Sequence, residues 1–135
     1  MHQPECEVFL EQPSDVLSVV CLCAEWCGTC REYQSEFGKL ADAFPGARFS
    51  WWDIEERADR LGDLDIENFP TLLIRRGPLV LFYGTMLPQI GLLRRLIGSF
   101  LEQTQEEARR YAFSSPERCG WQSNVDLSQI DSHEN

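Results

Sequence analysis

Basic side chains are scarce in this 135-residue sequence, in which Lys39 is the single lysine and eleven arginines are scattered. Twelve basic residues stand against 22 acidic ones, so the formal net charge is −10 at pH 7. An acidic protein without a basic stripe repels the phosphate backbone, so no nucleic-acid partner is expected. Histidine is equally scarce: His2 and His133 stand near the two ends of the sequence. An ordinary zinc site with histidine ligands is therefore not expected.

Long hydrophobic runs are also missing. The longest uncharged stretch, residues 77–93, has 17 residues and is interrupted by proline and glycine, whereas a transmembrane helix needs about 20 apolar residues. Residues 1–15 contain three glutamates and no lysine or arginine, unlike the basic start of a secretory signal. The sequence therefore predicts a cytoplasmic protein with no membrane association, and we expect a monomer.

Cysteine, in contrast, is abundant. The six cysteines are Cys6, Cys21, Cys23, Cys27, Cys30 and Cys119. A reducing cytoplasm favours redox chemistry or metal binding over structural disulfides. The four central cysteines fall within ten residues, which leaves a four-thiolate metal site as an alternative. Cys21 and Cys23 share one face of a predicted strand, however, and are expected to pack as small apolar residues. Cys6 and Cys119 are expected to be exposed thiols.

Hydrophobic periodicity predicts a small α/β domain. The pattern indicates strands at 16–24, 47–54, 71–75 and 79–83 and helices at 27–44 and 89–111, with a short strand or irregular lead-in at 8–10. The first strand is apolar at nearly every position, as in a central strand buried on both faces. The order of elements predicts a mixed sheet flanked by helices. We expect a domain over residues 1–103, followed by a helix extension and a polar, acidic tail over residues 104–135.

A C-x-x-C motif, Cys27 to Cys30, stands where the first strand ends and the first helix begins. The helix N-terminus stabilises an anion there, which favours the thiolate form of the first cysteine. Cys27 is therefore predicted to attack a disulfide, and Cys30 to resolve the mixed disulfide that forms. Gly28 is expected to give the turn its freedom, and the Trp26 ring is expected to shield the pair.

Two segments carry a resemblance to a known family. Residues 24–30, AEWCGTC, resemble the active-site segment of thioredoxin, AEWCGPC, and residues 68–73, NFPTLL, resemble the family's Pro-Thr segment before a core strand. The resemblance covers about residues 7–103. It implies a thioredoxin-like three-layer sandwich, with a central mixed sheet of four to five strands flanked by helices and an extra C-terminal tail. It also suggests that the family's first strand and first helix are trimmed.

The same resemblance implies an activity and a site. The activity is thiol-disulfide exchange on protein disulfides, with electrons from a flavin-dependent reductase or a glutathione system and no bound cofactor. Pro70 is implied to be a cis proline. Phe69 and Thr71 would flank a substrate groove beside Trp26, and Gly84 would complete the docking surface.

Three positions depart from the family pattern. Cys21 stands where thioredoxins carry a buried aspartate that relays protons, and Trp51 stands where they place the lysine that pairs with it. The two charges are absent together, which is consistent because either one alone would be costly to bury. Thr29 replaces the usual proline and keeps a backbone N–H that can donate to the Cys27 thiolate. We therefore expect a less reducing couple than that of thioredoxin.

A second function is compatible with the same residues. The C-x-x-C could be a redox switch in a binding or regulatory module with little turnover, and the loss of the buried charge pair favours this alternative. The acidic stretch 53–67 would then contact a basic partner, although a solvated surface is the simpler interpretation. Trp51 and the adjacent Trp52 are expected to face opposite sides of their strand.

Overall fold

The computed structural model describes residues 16–64 and 66–130. Predictions for the segment at 8–10 and for Cys6 lie outside these residues. The strands are β1 Leu17–Cys23, β2 Arg48–Asp53, β3 Thr71–Arg76 and β4 Leu79–Thr85. The helices are α1 Gly28–Ala43, α2 Ile90–Glu102, α3 Gln105–Ala112, α4 Pro116–Gln122 and α5 Val125–Ser128, with one 3₁₀ turn at Ala58–Arg60. The predicted mixed sheet flanked by helices is confirmed.

Strand β1 lies inside the sheet, whose order is β2-β1-β3-β4. It runs parallel to β2 and antiparallel to β3, and β3 pairs with β4 in a hairpin. All of its residues except Ser18 are buried. This agrees with the nearly continuous apolar run, because a strand with neighbours on both sides and layers on both faces has no solvated side.

One face of the sheet is covered by α1 and α2. The buried residues of these two helices recur at helical spacing and are Cys30, Tyr33, Phe37, Leu40, Leu93, Ile97 and Phe100. Cys21 and Cys23 belong to the same apolar cluster. The residue that precedes α1 is Cys27, so the helix N-terminus falls at the C-x-x-C motif as predicted.

The opposite face holds a second cluster, which includes Trp52 from β2 and, from the C-terminal segment, Leu127 and Ile130. Trp51 packs instead against the α1 side. The two adjacent tryptophans therefore face opposite sides, as alternation along a strand requires.

The predicted single helix over residues 89–111 is wrong, because the chain leaves the helical path at Gln103 and α3 starts anew after Thr104. Thr104 and Glu107 form a capping box: the Thr104 hydroxyl accepts from the Glu107 N–H, and the Glu107 carboxylate accepts from the Thr104 N–H. The buried Arg76 guanidinium donates to the Gln103 carbonyl at 2.6 Å. The end of α2 and the start of α3 thus both gain hydrogen-bond partners at the break.

The C-terminal segment folds back onto the domain and does not form an extended tail. The Gln122 side chain lies against β4, the outer strand of the described sheet: its Oε1 accepts from the Val80 N–H at 2.9 Å, and its Nε2 donates to the Val80 carbonyl at 2.7 Å. Arg75 donates to the Ile130 carbonyl at 2.7 Å. The two Gln122 bonds give partners to edge-strand backbone groups that would otherwise be unpaired. The domain boundary at residue 103 stays a prediction.

No helix within residues 16–64 and 66–130 is long and apolar enough to cross a membrane.

Candidate active site

The two cysteines of the C-x-x-C motif differ in accessibility. Cys27 is partly exposed at the N-cap of α1, where its N–H donates to the Ala24 carbonyl at 3.1 Å. Cys30 lies one turn further along and is only 1% exposed. A large substrate can therefore reach the first sulfur but not the second.

Cys30 is bonded to Cys23, not to Cys27. The two Cα atoms are 5.8 Å apart, within the ordinary range for a disulfide, and the Ala24 N–H donates to the Cys30 sulfur at 3.4 Å. Cys23 ends β1 on the face that α1 covers, which brings it to the first turn of the helix. The prediction that Cys23 only packs as a small apolar residue is therefore wrong. Cys27 is a free thiol in this arrangement.

Cys21 is a second free thiol and is fully buried. Its neighbour across the parallel ladder is Trp51, the position at which the family's lysine was expected. Burial raises the pKa of the Cys21 thiol far above its ordinary range. Cys21 is therefore protonated at neutral pH and cannot take a proton from Cys30 as the family's aspartate would.

Tyr33 adds a polar group to this otherwise apolar region. Its hydroxyl is buried and has no hydrogen-bond partner among the described residues. Burial, and secondarily the charge that Cys21 would carry, raises the Tyr33 pKa. The two positions at which thioredoxins keep their charge pair thus hold the neutral side chains of Cys21 and Trp51, with the neutral Tyr33 phenol in the same buried cluster.

Trp26 lies on the surface beside Cys27 and is 62% exposed. Its indole Nε1–H donates to a carboxylate oxygen of Glu55 at 2.9 Å. Its ring meets the edge of the Phe69 ring, with the centroids 5.6 Å apart. The structure therefore brings the tryptophan before the motif to the loop that contains Pro70.

The Phe69–Pro70 peptide bond is cis. The loop is held on both sides: the Thr71 hydroxyl donates to the Asn68 carbonyl at 2.7 Å, and the Met86 N–H donates to the Pro70 carbonyl at 3.1 Å. Pro70 and Thr71 are buried, whereas Phe69 is half-buried and offers part of its ring to solvent.

The remaining predicted residues lie nearby in the fold. Gly84 is on β4, paired with Leu72. Thr29 is exposed in the first turn of α1. Gly28 begins α1 without a positive φ, so the expected need for turn freedom at this position is wrong. A Cβ there would meet Arg31 at 3.7 Å, an ordinary contact.

A pocket of about 400 Å³ opens behind Cys30. Its lining mixes both charges and comprises Ala24, Glu25, Cys30, Arg31, Gln34, Trp51, Asp53, Glu56 and Arg57. It gives solvent an approach to Cys30, and Phe69 is not among its lining residues. Within the described part of the chain, no group of three or more His, Cys, Asp or Glu side chains is arranged to hold a metal ion.

The sequence patterns did not reveal the role of Glu55 at the site, nor the state of Cys119 elsewhere in the fold. Glu55 was expected to be part of a solvated acidic stretch, and nothing in its local pattern shows that it meets Trp26, 29 residues away. Cys119 was expected to be an exposed free thiol; it is half-buried and disulfide-bonded, so that expectation is wrong. The position of Cys23 did hint at a role in the site. It lies four residues before Cys27, at the end of the predicted strand that leads into the motif.

The comparisons with known proteins agree with this geometry. The family model described as Thioredoxin matches residues 3–86. Putative thioredoxin 2 of Streptomyces coelicolor is 29% identical over 98 residues, 72% of each chain. Mitochondrial thioredoxin-3 of Saccharomyces cerevisiae is 33% identical over 51 residues, 38% of this chain and 40% of the relative. The crystal structure of thioredoxin from Trypanosoma brucei brucei superposes with a TM-score of 0.60 at 24% identity, covering 67% of this chain and 80% of that one.

The fold is that of a thioredoxin-like protein, with the C-x-x-C at the start of its first described helix. The chain belongs to the thioredoxin family, and the predicted family is confirmed. Members of this family are thiol-disulfide oxidoreductases, which is the activity at family level.

Proposed function

We propose that this protein catalyses thiol-disulfide exchange on protein disulfides, with Cys27 as the nucleophile and Cys30 as the resolving cysteine. The observation that supports it is the contrast between the two sulfurs: Cys27 is partly exposed at a helix N-terminus, and Cys30 is buried one turn away. An attacking thiol must be reached by a large substrate, whereas a resolving thiol is better shielded from other reactions.

The reaction has two displacement steps. The Cys27 thiolate attacks one sulfur of the substrate disulfide, which forms a mixed disulfide and releases the first substrate thiolate. The Cys30 thiolate then attacks the Cys27 sulfur, which breaks the mixed disulfide and releases the second substrate thiolate. The substrate gains two electrons, and the protein is left with an intramolecular disulfide that a flavin-dependent reductase or a glutathione system reduces. The chemistry requires no bound cofactor.

The substrate would dock beside Trp26. Its ring and that of Phe69 are in edge contact and partly exposed, and both flank the loop that holds Pro70 and Thr71. We assign these four residues, with Gly84 on the neighbouring strand, to the docking groove. Trp26 and Phe69 would supply the apolar contact.

Cys30 must lose its proton during the second step. Cys21 cannot accept it, because burial keeps its own thiol protonated. The pocket behind Cys30 is lined by the carboxylates of Glu25, Asp53 and Glu56. We therefore assign the proton transfer to solvent in this pocket. Gly28, Thr29 and Cys21 would tune the couple without contacting the substrate.

The proposal includes the setting in which the protein works. We propose a cytoplasmic monomer that acts on protein disulfides and binds neither nucleic acid nor membranes. The formal charge of −10 supports the exclusion of nucleic acid.

Trapping of the mixed disulfide tests the roles of the two cysteines. Reduced Cys30→Ser protein, mixed with insulin, is expected to form a covalent adduct through Cys27, because the resolving thiol is absent. Cys27→Ser is the matched control and is expected to form none. Adducts of equal yield with both variants, or adducts that map to another cysteine, would contradict the assignment.

A second candidate is a redox-switched binding module with little turnover. The buried thiol of Cys21 favours it, since this residue stands where thioredoxins carry their proton-relay aspartate and it stays protonated at neutral pH. Catalytic reduction of insulin by dithiothreitol separates the two functions. Many turnovers per protein support the enzyme, whereas oxidation that stops after one equivalent supports the switch.

A further inference from the structure

Three cysteines meet at the first turn of α1, although exchange by a C-x-x-C needs only two. Cys23 is fully buried at the end of β1 and is bonded to Cys30, with 5.8 Å between their Cα atoms. Cys27 remains a free, partly exposed thiol. Cys30 is therefore shared: sequence spacing places it within reach of Cys27, and the fold places it within reach of Cys23.

We propose that Cys23 is a third redox-active cysteine, which displaces Cys27 from Cys30 and stores the disulfide in the buried position. This rests on the proposed function, because Cys27 and Cys30 must first become oxidised by the substrate. Cys23 is then a catalytic residue in the strict sense, since its sulfur contacts the reacting sulfur of Cys30.

The step is an isomerisation that balances without an external oxidant or reductant. The Cys23 thiolate attacks the Cys30 sulfur of the Cys27–Cys30 disulfide. The Cys23–Cys30 bond forms, the Cys27–Cys30 bond breaks, and Cys27 leaves as a thiolate. The proton that Cys23 loses is returned to Cys27 or to solvent, so the protein holds one disulfide before and after the step.

Cys21 does not compete for this role. It is equally buried and stands on the same face of β1, yet it is a free thiol. Cys23 is the nearer of the two to the start of α1 along the strand. Cys21 therefore provides a control that matches Cys23 in residue type, burial and strand.

The isomerisation would change whether the oxidised protein has a free, exposed Cys27 thiol. In the Cys27–Cys30 state no nucleophilic thiol of the motif is available. In the Cys23–Cys30 state the disulfide is shielded, while Cys27 is again free to attack a second disulfide or to receive a small thiol. Reduction of the buried bond would then begin with Cys27 attacking Cys30, which reverses the isomerisation.

Disulfide mapping of the oxidised protein tests the proposal. Wild-type protein is oxidised by diamide, quenched in acid, alkylated while unfolded, digested and analysed by mass spectrometry. We expect alkylation at Cys27 and a linked Cys23–Cys30 peptide pair. Cys23→Ala is expected to show a Cys27–Cys30 link and no alkylation at Cys27, and Cys21→Ala is expected to match the wild type. A wild-type map with Cys27–Cys30 linked and Cys23 alkylated would overturn the proposal. This outcome is read from the wild-type protein alone, so it does not depend on whether a variant folds.

A second measurement is independent of turnover. Cys27→Ser protein is expected to lose two more thiols on oxidation by diamide than Cys27→Ser/Cys23→Ala does, because only the single variant keeps both Cys23 and Cys30. Equal thiol loss in both variants would overturn the inference. If the wild-type map shows Cys23–Cys30 but insulin turnover survives in Cys27→Ser, the proposed function fails while Cys23 is still shown to exchange with Cys30. If turnover requires Cys27 but Cys23 never bonds, only the third-cysteine step fails.

Discussion

Trp26 and Glu55 are joined by a 2.9 Å hydrogen bond from the indole N–H to the carboxylate, at the rim of the proposed docking groove. The contact fixes one side of an aromatic ring that is otherwise mostly exposed, and Phe69 contacts the ring from another side. Glu55 thus positions a residue of the groove without itself lying in the C-x-x-C motif.

Substitution Glu55→Ala is expected to lower kcat/KM for insulin reduction about two- to fivefold, because an exposed hydrogen bond contributes roughly 0.5–1 kcal/mol. Most of the loss should be in KM, since the reacting sulfurs are untouched. Glu55→Gln keeps an acceptor oxygen and should stay close to wild type. A fall of equal size in both variants would point to the charge of Glu55 and not to its hydrogen bond.

Thr29→Pro is expected to make the Cys27/Cys30 couple more reducing. Proline removes the backbone N–H that can donate to the Cys27 thiolate, so the reduced form loses stabilisation, while the first turn of α1 still tolerates proline. Loss of a charge-assisted hydrogen bond of about 1.4 kcal/mol corresponds to a fall of about 30 mV in the reduction potential of the Cys27/Cys30 couple. The potential is measured against glutathione in a Cys23→Ala background, which isolates the couple.

Thr29→Ala is the control for that comparison, because it keeps the N–H and should shift the potential much less than proline does. With Thr29 in place, the reduction potential of the Cys27/Cys30 couple is expected to lie above the roughly −270 mV of thioredoxin. A potential at or below that value, or an upward shift with proline, would contradict the role given to Thr29.

Cys21 is expected to make the protein less stable in alkali. Burial raises its folded-state pKa, so below about pH 8.5 both folded and unfolded chains keep the proton. Above that pH the unfolded chain loses the proton and the folded chain retains it, so the free energy of unfolding falls by about 1.4 kcal/mol per pH unit.

The measurement is urea denaturation without reductant at pH 8 and pH 10, with Cys21→Ala as the comparison. Wild type should lose roughly 2 kcal/mol more than the variant over this range. Tyr33, whose pKa is also raised, contributes in the same direction above about pH 10 in both proteins. Equal losses would show that Cys21 ionises in the folded state.

Gln122→Ala is expected to lower the free energy of unfolding by about 1–3 kcal/mol, because the Val80 N–H and carbonyl would lose their partners at a half-buried edge. Urea denaturation checks this, with the exposed Gln129→Ala as the control from the same C-terminal segment. The control should change stability by less than about 0.5 kcal/mol. No difference between the two variants would mean that the C-terminal helices do not stabilise the strand.

Much of the fold was predictable because its signals are local. The continuous apolar run of β1, the 3.6-residue spacing of α1 and the Pro45-Gly46 stop all act over a few residues. Two further local signals indicate the starts of α3 and α4: Thr104 and Glu107 have the spacing of a capping box, and Ser115 followed by Pro116 is a typical helix start.

The site was less predictable because its decisive contacts are long-range. The C-x-x-C identified the motif and its position at the helix N-terminus. The side chains around it come from other elements, as the Glu55 carboxylate at Trp26 shows. Cys23 and Cys30 are seven residues apart, separated by a strand end and a turn, so only the packing of β1 against α1 determines that they meet.

The rate of insulin reduction with dithiothreitol as electron donor tests the central claim most directly. We expect wild-type protein to turn over many equivalents, Cys27→Ser to fall to the uncatalysed rate, and the exposed Gln129→Ala control to retain most of the activity. A wild-type protein that stops after one equivalent would contradict catalysis, and a Cys27→Ser variant as fast as wild type would contradict exchange through Cys27.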